Sequence, residues 1–368
     1  MNFYSLPDFQ NHEQVSFFYE KESGLKAIVA IHSTTLGPAL GGLRMWPYAT
    51  DEEALVDVLR LSQGMTYKAA AAGLKLGGGK AVIIADPKKD KSDYLFRAFG
   101  KAVHSLGGRY ITAEDVGTDV HDMETIRMET PFVTGVDRDH GGSGNPAPFT
   151  AYGTFMGLKA GVERKLGVTT TKGLTVAIQG MGNVGWELAK LLIDEGARIV
   201  ATDIDDGRLE QAKAELGVHS VVKPNEIYSV DCDVFAPCAL GAVINDETVE
   251  ILKAKVIAGS SNNQLKEHRH GEILDKLGIL YVPDYVLNAG GLINVYTELG
   301  VYSRTRSLRF CKKIYHNCNK VFDISERDGI PSFLAADRMA QERVEHFGRM
   351  KAHFNVYDRE AFDKRKDI

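Results

Sequence analysis

The sequence is short of the features that mark a secreted, membrane-bound or nucleic-acid-binding protein. Cysteine is scarce: Cys232, Cys238, Cys311 and Cys318 are the only four in 368 residues, with no CxxC pair and no histidine nearby at finger spacing. That excludes a disulfide framework and a zinc finger, so reduced thiols in packed positions are expected. The eleven histidines include no HExxH, and no metal is expected. No apolar run approaches a membrane span, and the opening MNFYSLPDFQNHEQVSFFYEKESG carries acids early and lacks a signal-peptide core. A cytoplasmic protein without membrane contact is the expectation. Charge is not concentrated either: 44 basic and 49 acidic residues leave a net −5. The basic stripe of a nucleic-acid binder is missing, which leaves small-molecule chemistry as the better expectation.

What is present starts with a length sufficient for two domains, each with its own core. The stretch Gly64 to Lys80, GMTYKAAAAGLKLGGGK, places Lys68 and Lys80 on either side of a glycine-dense turn. A helix is predicted from about Asp51, with Ala54, Val58, Leu61, Met65 and Ala72 on its apolar face. Lys68 falls one turn after Met65, at the border of that stripe, where lysines commonly snorkel. Gly77, Gly78 and Gly79 lack Cβ atoms, so positive φ or close approach of a ligand is expected there, with Lys80 opening a strand. Burial of an ammonium favours its neutral form, as a general base or Schiff-base lysine requires, and Lys80 is the candidate.

In chain order, Val15 to His32 reads as a hairpin turning at Glu22 to Gly24. Gly37, Pro38, Gly41 and Gly42 crowd what reads as one loop, able to offer backbone N–H groups to an anion or to be a plain connection. Tyr94 to Leu106 is a second amphipathic helix. Tyr110 to Thr112 is a short strand that delivers Glu114 and Asp115 beside Gly117, a setting common to turns and active sites alike. GGSGNPAP at 141–148 is the best domain boundary, followed by a linking helix from Thr150 to Glu163.

The strongest fold signal comes next. Leu174 to Gln179 reads as a buried strand, Gly180-Met181-Gly182-Asn183-Val184-Gly185 completes GxGxxG, Trp186 to Glu195 is helical, and Ala197 to Thr202 is a strand ending in Asp203. Strand, glycines, helix, strand and acid in this order predict a dinucleotide site, with the pyrophosphate at the helix N-terminus. Asp203 would accept from the ribose hydroxyls and repel a phosphate, which favours NAD over NADP. Val234 to Ala236, Val256 to Ala258 and Leu280 to Val282, each preceded by helical sequence, extend one doubly wound parallel sheet. Their carboxyl ends carry Cys238 and Ala239, then Ser260 to Asn263, then Asn288 to Gly291, loops placed to border a cofactor. From Leu292 the chain is largely helical, with long helices over Arg304 to Ser325 and Pro331 to Phe347; Cys311, Ile314 and Cys318 share one face, and the charged last dozen residues are expected to fray.

Taken together, LGPALGGLRMWPY, GMTYKAAAAG, GGGK, AEDVG, SGNPAPFTAYG, the glycine fingerprint, FAPCALGAVIN, SSNNQL and DYVLNAGGLINV, all in order, resemble the glutamate/leucine/phenylalanine/valine dehydrogenase superfamily, and most of all its leucine dehydrogenases. The resemblance implies an α/β protein of two domains separated by a cleft. Residues 1–140 would form an α/β substrate domain, completed by C-terminal helices from about 325 to 368, and 141–324 a Rossmann-type doubly wound NAD domain. It implies reversible oxidative deamination: an L-amino acid, NAD and water give a 2-oxo acid, ammonium and NADH. By motif, Lys80 looks like the general base that activates water, and Asp115 like its proton-transfer partner at the substrate nitrogen. Lys68 looks like the cation for the substrate carboxylate, assisted by backbone near Gly41 and Gly42. Leu40, Met65, Ala113, Leu292 and Val295 match positions lining the side-chain pocket, while Thr150, Cys238, Ala239, Asn262 and Asn288 match cofactor-side positions, the two asparagines also facing substrate. All five pocket residues are apolar, so branched aliphatic substrates such as leucine, valine and isoleucine are favoured over one with a second carboxylate. Leu292 stands where leucine dehydrogenases often have valine, which points the preference toward valine or isoleucine. The alternatives are an aromatic amino acid dehydrogenase of the same superfamily and a non-catalytic NAD-binding sensor. A homo-oligomer, by resemblance an octamer, completes the expectation.

Overall fold

The computed structural model describes residues 3–350, and the charged end of the chain lies outside them. The chain divides into two compact units. Unit one takes the chain up to Asn145, Val295–Arg304 and the chain from Ala340, and unit two takes Pro146–Asn294 and Thr305–Met339.

Unit one is built on a five-stranded sheet of β1 (Gln14–Glu20), β2 (Leu25–Ser33), β3 (Ala39–Trp46), β4 (Gly77–Ile84) and β5 (Tyr110–Glu114), in the order β1-β2-β4-β3-β5. The hairpin of β1 and β2 is antiparallel, and so is β2 against β4, while β4, β3 and β5 run parallel. Helix α1 (Asp51–Ala71) covers one face, where Ala54, Leu55, Val58 and Leu59 pack on Ile28, Ala30 and Val82. Helices α2 (Asp93–Ser105) and α3 (Val120–Arg127) cover the other, where Leu95, Phe99, Met123 and Ile126 meet Val29, Leu43, Ala81 and Tyr110. Alternation along β4 therefore puts Gly78, Lys80 and Val82 on the α1 face, and Gly79, Ala81 and Ile83 on the other. Thr50 and Ser92 cap α1 and α2 by accepting from the amides of Glu53 and Leu95, each cap contributing about 1 kcal/mol.

Two expectations from the glycines are corrected here. Gly77, Gly78 and Gly79 form no turn, and Gly41 and Gly42 no loop: all five lie buried inside β4 and β3, with none at positive φ. Close packing, not turning, requires them. A Cβ on Gly41 would stand 1.7 Å from the carbonyl oxygen of Gly79, and one on Gly78 would stand 2.0 Å from the amide nitrogen of Thr66. At Gly41 the neighbouring strand β4, and at Gly78 helix α1, leaves no room for a side chain. Leu61 and Met65 are only half-buried, since the buried stripe of α1 runs instead through Leu55, Leu59, Ser62, Thr66 and Ala69.

Unit two begins with α4 (Ala147–Leu166) and holds a six-stranded, wholly parallel sheet. Its strands are β6 (Thr175–Gln179), β7 (Arg198–Thr202), β8 (Ser220–Val221), β9 (Val234–Pro237), β10 (Val256–Ile257) and β11 (Leu280–Tyr281). The order β8-β7-β6-β9-β10-β11 is the 3-2-1-4-5-6 sequence of a doubly wound dinucleotide-binding sheet. Helices α5 (Asn183–Asp194), α6 (Asp206–Leu216) and α7 (His268–Lys276) follow β6, β7 and β10. The helix expected between β9 and β10 is absent: that segment is held by turns and by a bridge between Ile244 and Leu265.

The C-terminal part continues with α8 (Asp284–Leu287), α9 (Gly290–Glu298), α10 (Arg304–Lys312), α11 (Ile314–Asp328) and α12 (Ser332–Arg349). The helix expected over Arg304 to Ser325 is two helices, because the Lys313 amide bonds the carbonyl of Phe310 three residues back and breaks the α-helical ladder. Cys311, Ile314 and Cys318 are buried on one side, and burial pushes the Cys311 thiol up to about 12. The chain returns to unit one at Ala340 and not near 325. The start of α12 is tied into unit two by Ser332, which donates to the Tyr281 carbonyl at 2.5 Å, and by Phe333 in the core around Phe235 and Leu274.

Candidate active site

Unit one brings a cation and an anion together in its sheet. Lys80, in the middle of β4, is 4% exposed, and its Nζ lies 2.9 Å from Oδ1 of Asp115, the residue after β5. The register sets this up: Leu40 of β3 pairs with both Gly78 and Ile111, and Gly42 pairs with Ala113, so β3 lies between the strands that carry the two residues. A Cβ on Gly42 would come within 2.7 Å of the Asp115 Cβ, so only glycine leaves the carboxylate its place. Tyr110 underpins the floor by donating to the Gly41 carbonyl at 2.7 Å.

Asp115 has a second cation that the sequence reading passed over. Arg44, two residues beyond Gly42 on the same face of β3, donates from Nε to Oδ2 of Asp115 at 3.0 Å and from Nη1 to Asp57 at 2.8 Å. Tyr48 donates to the same Asp57 oxygen at 2.6 Å. Burial works against ionising Asp115, but Lys80 and Arg44 outweigh it and bring the carboxyl down to about 2. Its neighbour Glu114 goes the other way, pushed up by burial and by the charges of Asp119, Asp115 and Glu298. Alternation along β3 was the signal available for Arg44, since it repeats the spacing from Leu40 to Gly42.

The remaining candidates of unit one are Leu40 and Ala113, buried on the face of Lys80, and Met65 and Lys68, half-buried near the end of α1. Thr66, between Met65 and Lys68, is packed on Gly78, which fixes this turn of α1 over β4. Val295 is half-buried on the part of α9 belonging to unit one, whereas Leu292, on its first turn, is buried in unit two. Arg44 also lines an open pocket of about 630 Å³ with Trp46, Tyr48, Asp57 and Val116; Lys80 and Asp115 are not among its walls.

In unit two the fingerprint has the geometry that a pyrophosphate needs. Gly180 has φ +97, a Cβ on Gly185 would stand 1.9 Å from the Gly180 carbonyl oxygen, and a Cβ on Gly182 would meet open space. Helix α5 starts at Asn183, earlier than the expected Trp186, and no side chain caps it, which leaves its first turn open to an anion. Asp203 shapes the turn, its oxygens accepting from the amides of Met181 at 2.6 Å and Asp205 at 3.0 Å. Arg208 donates to the Met181 carbonyl and lies over Trp186. The Cys238 amide bonds the Gln179 carbonyl, and Ala239 packs on Gly180. Asn288, 3% exposed, donates to the Ser260 carbonyl at 3.0 Å and to Asn262 at 2.8 Å, while its own amide oxygen is buried with no partner among the described residues. Thr150 on α4 stands against Gly291. An uncapped helix start, an open glycine and an orphaned amide oxygen together fit a bound dinucleotide.

The model of the Glu/Leu/Phe/Val dehydrogenase dimerisation domain matches residues 10–132, and that of glutamate/leucine/phenylalanine/valine dehydrogenase matches 141–213 and 204–350. The chain belongs to this dehydrogenase family. Leucine dehydrogenase of Geobacillus stearothermophilus is 55% identical over 354 residues, 96% of each chain. That of Thermoactinomyces intermedius is 56% identical over 354 residues, again 96% of each. The crystal structure of L-tryptophan dehydrogenase from Nostoc punctiforme superposes with a TM-score of 0.82 at 45% identity, over 92% of this chain and 97% of that one.

Proposed function

We propose that this family member catalyses the reversible, NAD-dependent oxidative deamination of a branched aliphatic L-amino acid to its 2-oxo acid and ammonium. The observation that carries the reading is the pair of buried Lys80 and half-buried Asp115, in the same chain as a doubly wound unit with an open glycine fingerprint. NAD, when bound, accepts the hydride from the substrate Cα. Gly180, Gly182 and the amides of Asn183, Val184 and Gly185 would hold its pyrophosphate, and Asp203 the adenosine ribose. Thr150, Cys238, Ala239, Asn262 and Asn288 would lie along the rest of the cofactor, and the acidic Asp203 favours NAD over NADP.

The chain's own residues supply the remaining chemistry. Lys68 pairs with the substrate carboxylate beside the backbone of Gly41 and Gly42. Asp115, held ionised, takes a proton from the substrate nitrogen and later returns one to the departing ammonia. Lys80 removes a proton from the water that attacks the imino carbon, passes it across the 2.9 Å contact to Asp115 once that carboxylate has returned its own proton to the nitrogen, and then takes the hydroxyl proton as the carbinolamine collapses. Burial of Lys80 keeps bulk water from competing with the one reacting molecule. By likeness to the family, Leu40, Met65, Ala113, Leu292 and Val295 are the side-chain pocket residues; all are apolar, so a second substrate carboxylate would be unpaired and a branched aliphatic side chain is preferred. Assembly as an octamer is part of the same reading, by likeness to leucine dehydrogenases.

The test is NADH formation from a panel of L-amino acids, with NADP in a parallel series. Turnover led by leucine, valine and isoleucine with NAD is the expected result. Turnover led by phenylalanine or tryptophan overturns the pocket assignment, and silence with NAD still bound overturns the reaction.

A further inference from the structure

Arg44 has no part in the reading above, yet it is half of what holds Asp115. The two carboxylate oxygens of Asp115 are divided between two cations: Oδ1 takes Lys80 at 2.9 Å and Oδ2 takes Arg44 at 3.0 Å. Arg44 is in turn fixed from behind, its Nη1 on Asp57 at 2.8 Å and Asp57 on the Tyr48 hydroxyl at 2.6 Å. Asp57 sits on α1 and Arg44 on β3, so the chain of contacts ties the carboxylate to both the sheet and the helix over it.

We propose that Arg44 is a positioning residue for the reaction: braced by Asp57 and Tyr48, its guanidinium fixes Oδ2 of Asp115 and so leaves Oδ1 aimed at Lys80. This rests on the reading of Lys80 and Asp115 as the reacting pair. The guanidinium reaches the two carboxylates from two separate nitrogens held in one plane, Nε to Asp115 and Nη1 to Asp57, a span that the single nitrogen of a lysine does not reproduce. The brace is built to stay in its charge state. Burial opposes the Arg44 charge but Asp115 and Asp57 overcome it, and burial with Asp57 keeps the Tyr48 hydroxyl a donor. The other charged or titratable groups bearing on Asp115 are Glu114 beside it on β5, Tyr110 on the same strand, and Asp119 at the start of α3 through Glu114. None of these is a cation, so the electrostatic balance at Asp115 is set by Lys80 and Arg44.

The experiment compares the full-length wild type with Arg44→Met, Arg44→Lys and Tyr48→Phe, reading kcat/KM for amino acid oxidation against pH, together with a crystal structure of Arg44→Met. Loss of the guanidinium raises the pKa of whichever group must be deprotonated, so the acid-side limb of Arg44→Met moves up by roughly half to one pH unit. Its kcat/KM falls by about 100-fold through misplacement of Asp115. Arg44→Lys returns the limb toward wild type but not the full rate, and Tyr48→Phe gives a smaller loss in the same direction. An Arg44→Met limb that coincides with wild type overturns the proposal, whether or not stability has fallen. In the crystal structure, an Asp115 carboxylate turned away from Lys80 supports it, and one unmoved overturns it. If the wild type oxidises no amino acid, the functional reading fails, and the crystal structure alone decides whether Arg44 places Asp115.

Discussion

Lys80 and Asp115 meet at 2.9 Å although they come from different strands, the first nearly sealed from water and the second about a quarter exposed at its side chain. The carboxyl of Asp115 stands at about 2 against an ordinary 3.8, because Lys80 and Arg44 together overcome the cost of burying it. A depressed carboxyl contributes stability that is complete above its unfolded pKa and is lost as pH falls through the folded one. Between about pH 4 and pH 2 the protein should therefore lose about 2 kcal/mol on account of Asp115. Urea unfolding across that window should show this slope in the wild type and a shallower one in Asp115→Asn. Parallel slopes would contradict the coupling.

His32 adds a second acid sensitivity of the same sign, at higher pH. Burial, then the nearby His12, bring its pKa down to about 4, against opposition from the Gln10 carbonyl and Glu13. Its ring nitrogens bond Thr66 at 2.8 Å and the Gln10 carbonyl at 3.0 Å. Below the ordinary histidine pKa of 6.5 the unfolded chain takes up a proton that the folded one refuses until about 4. Stability therefore falls as pH drops through that window, by something on the order of 2 kcal/mol once partial exposure is allowed for. His32→Gln should flatten the curve there, as read by thermal melting; an unchanged curve would show that His32 is not the group.

Two glycine substitutions should separate packing from cofactor binding. Gly182→Ala adds a methyl to open space, so the protein should fold normally and bind NAD at least about 10-fold more weakly, by crowding the phosphates at the helix start. Gly78→Ala drives a methyl to within 2.0 Å of the Thr66 amide and should destabilise unit one by about 3 kcal/mol or prevent folding. Calorimetry with NAD and a thermal melt distinguish the two. Normal NAD affinity in Gly182→Ala would relocate the pyrophosphate.

Leu292 is buried at the start of α9, and Leu292→Val removes one methylene from the proposed pocket wall. The ratio of kcat/KM for leucine to that for valine should rise by about 10-fold, as expected for one methylene of fit. An unchanged ratio would take Leu292 out of the pocket.

The sequence was most legible where function dictates local order. Strand, GxGxxG, helix, strand and Asp203 need only neighbours in the chain, and they occur in the order in which the pattern put them, with the helix starting three residues early at Asn183. The glycines of GGGK and LGGL misled because composition does not distinguish a glycine that turns from one that lets a strand press on a helix or on the next strand; that depends on Thr66 for Gly78 and on Gly79 for Gly41, each distant in sequence. Arg44 went unread for the same reason. Its partners Asp57 and Asp115 lie on separate elements, and only the pairing of β3 with β5 brings the second within reach. The break at Lys313 rests on one hydrogen bond changing from four residues back to three, which leaves no mark on hydrophobic periodicity.

The most direct test of the account is the turnover of Lys80→Ala, assayed in both directions with the best amino acid and its 2-oxo acid, beside circular dichroism and NADH binding. The account predicts a protein that folds and binds NADH like the wild type while kcat falls by about 1,000-fold or more, because both proton transfers to and from the attacking water lose their base. Turnover within about tenfold of wild type in the folded variant would contradict it, and would remove Lys80 from the chemistry.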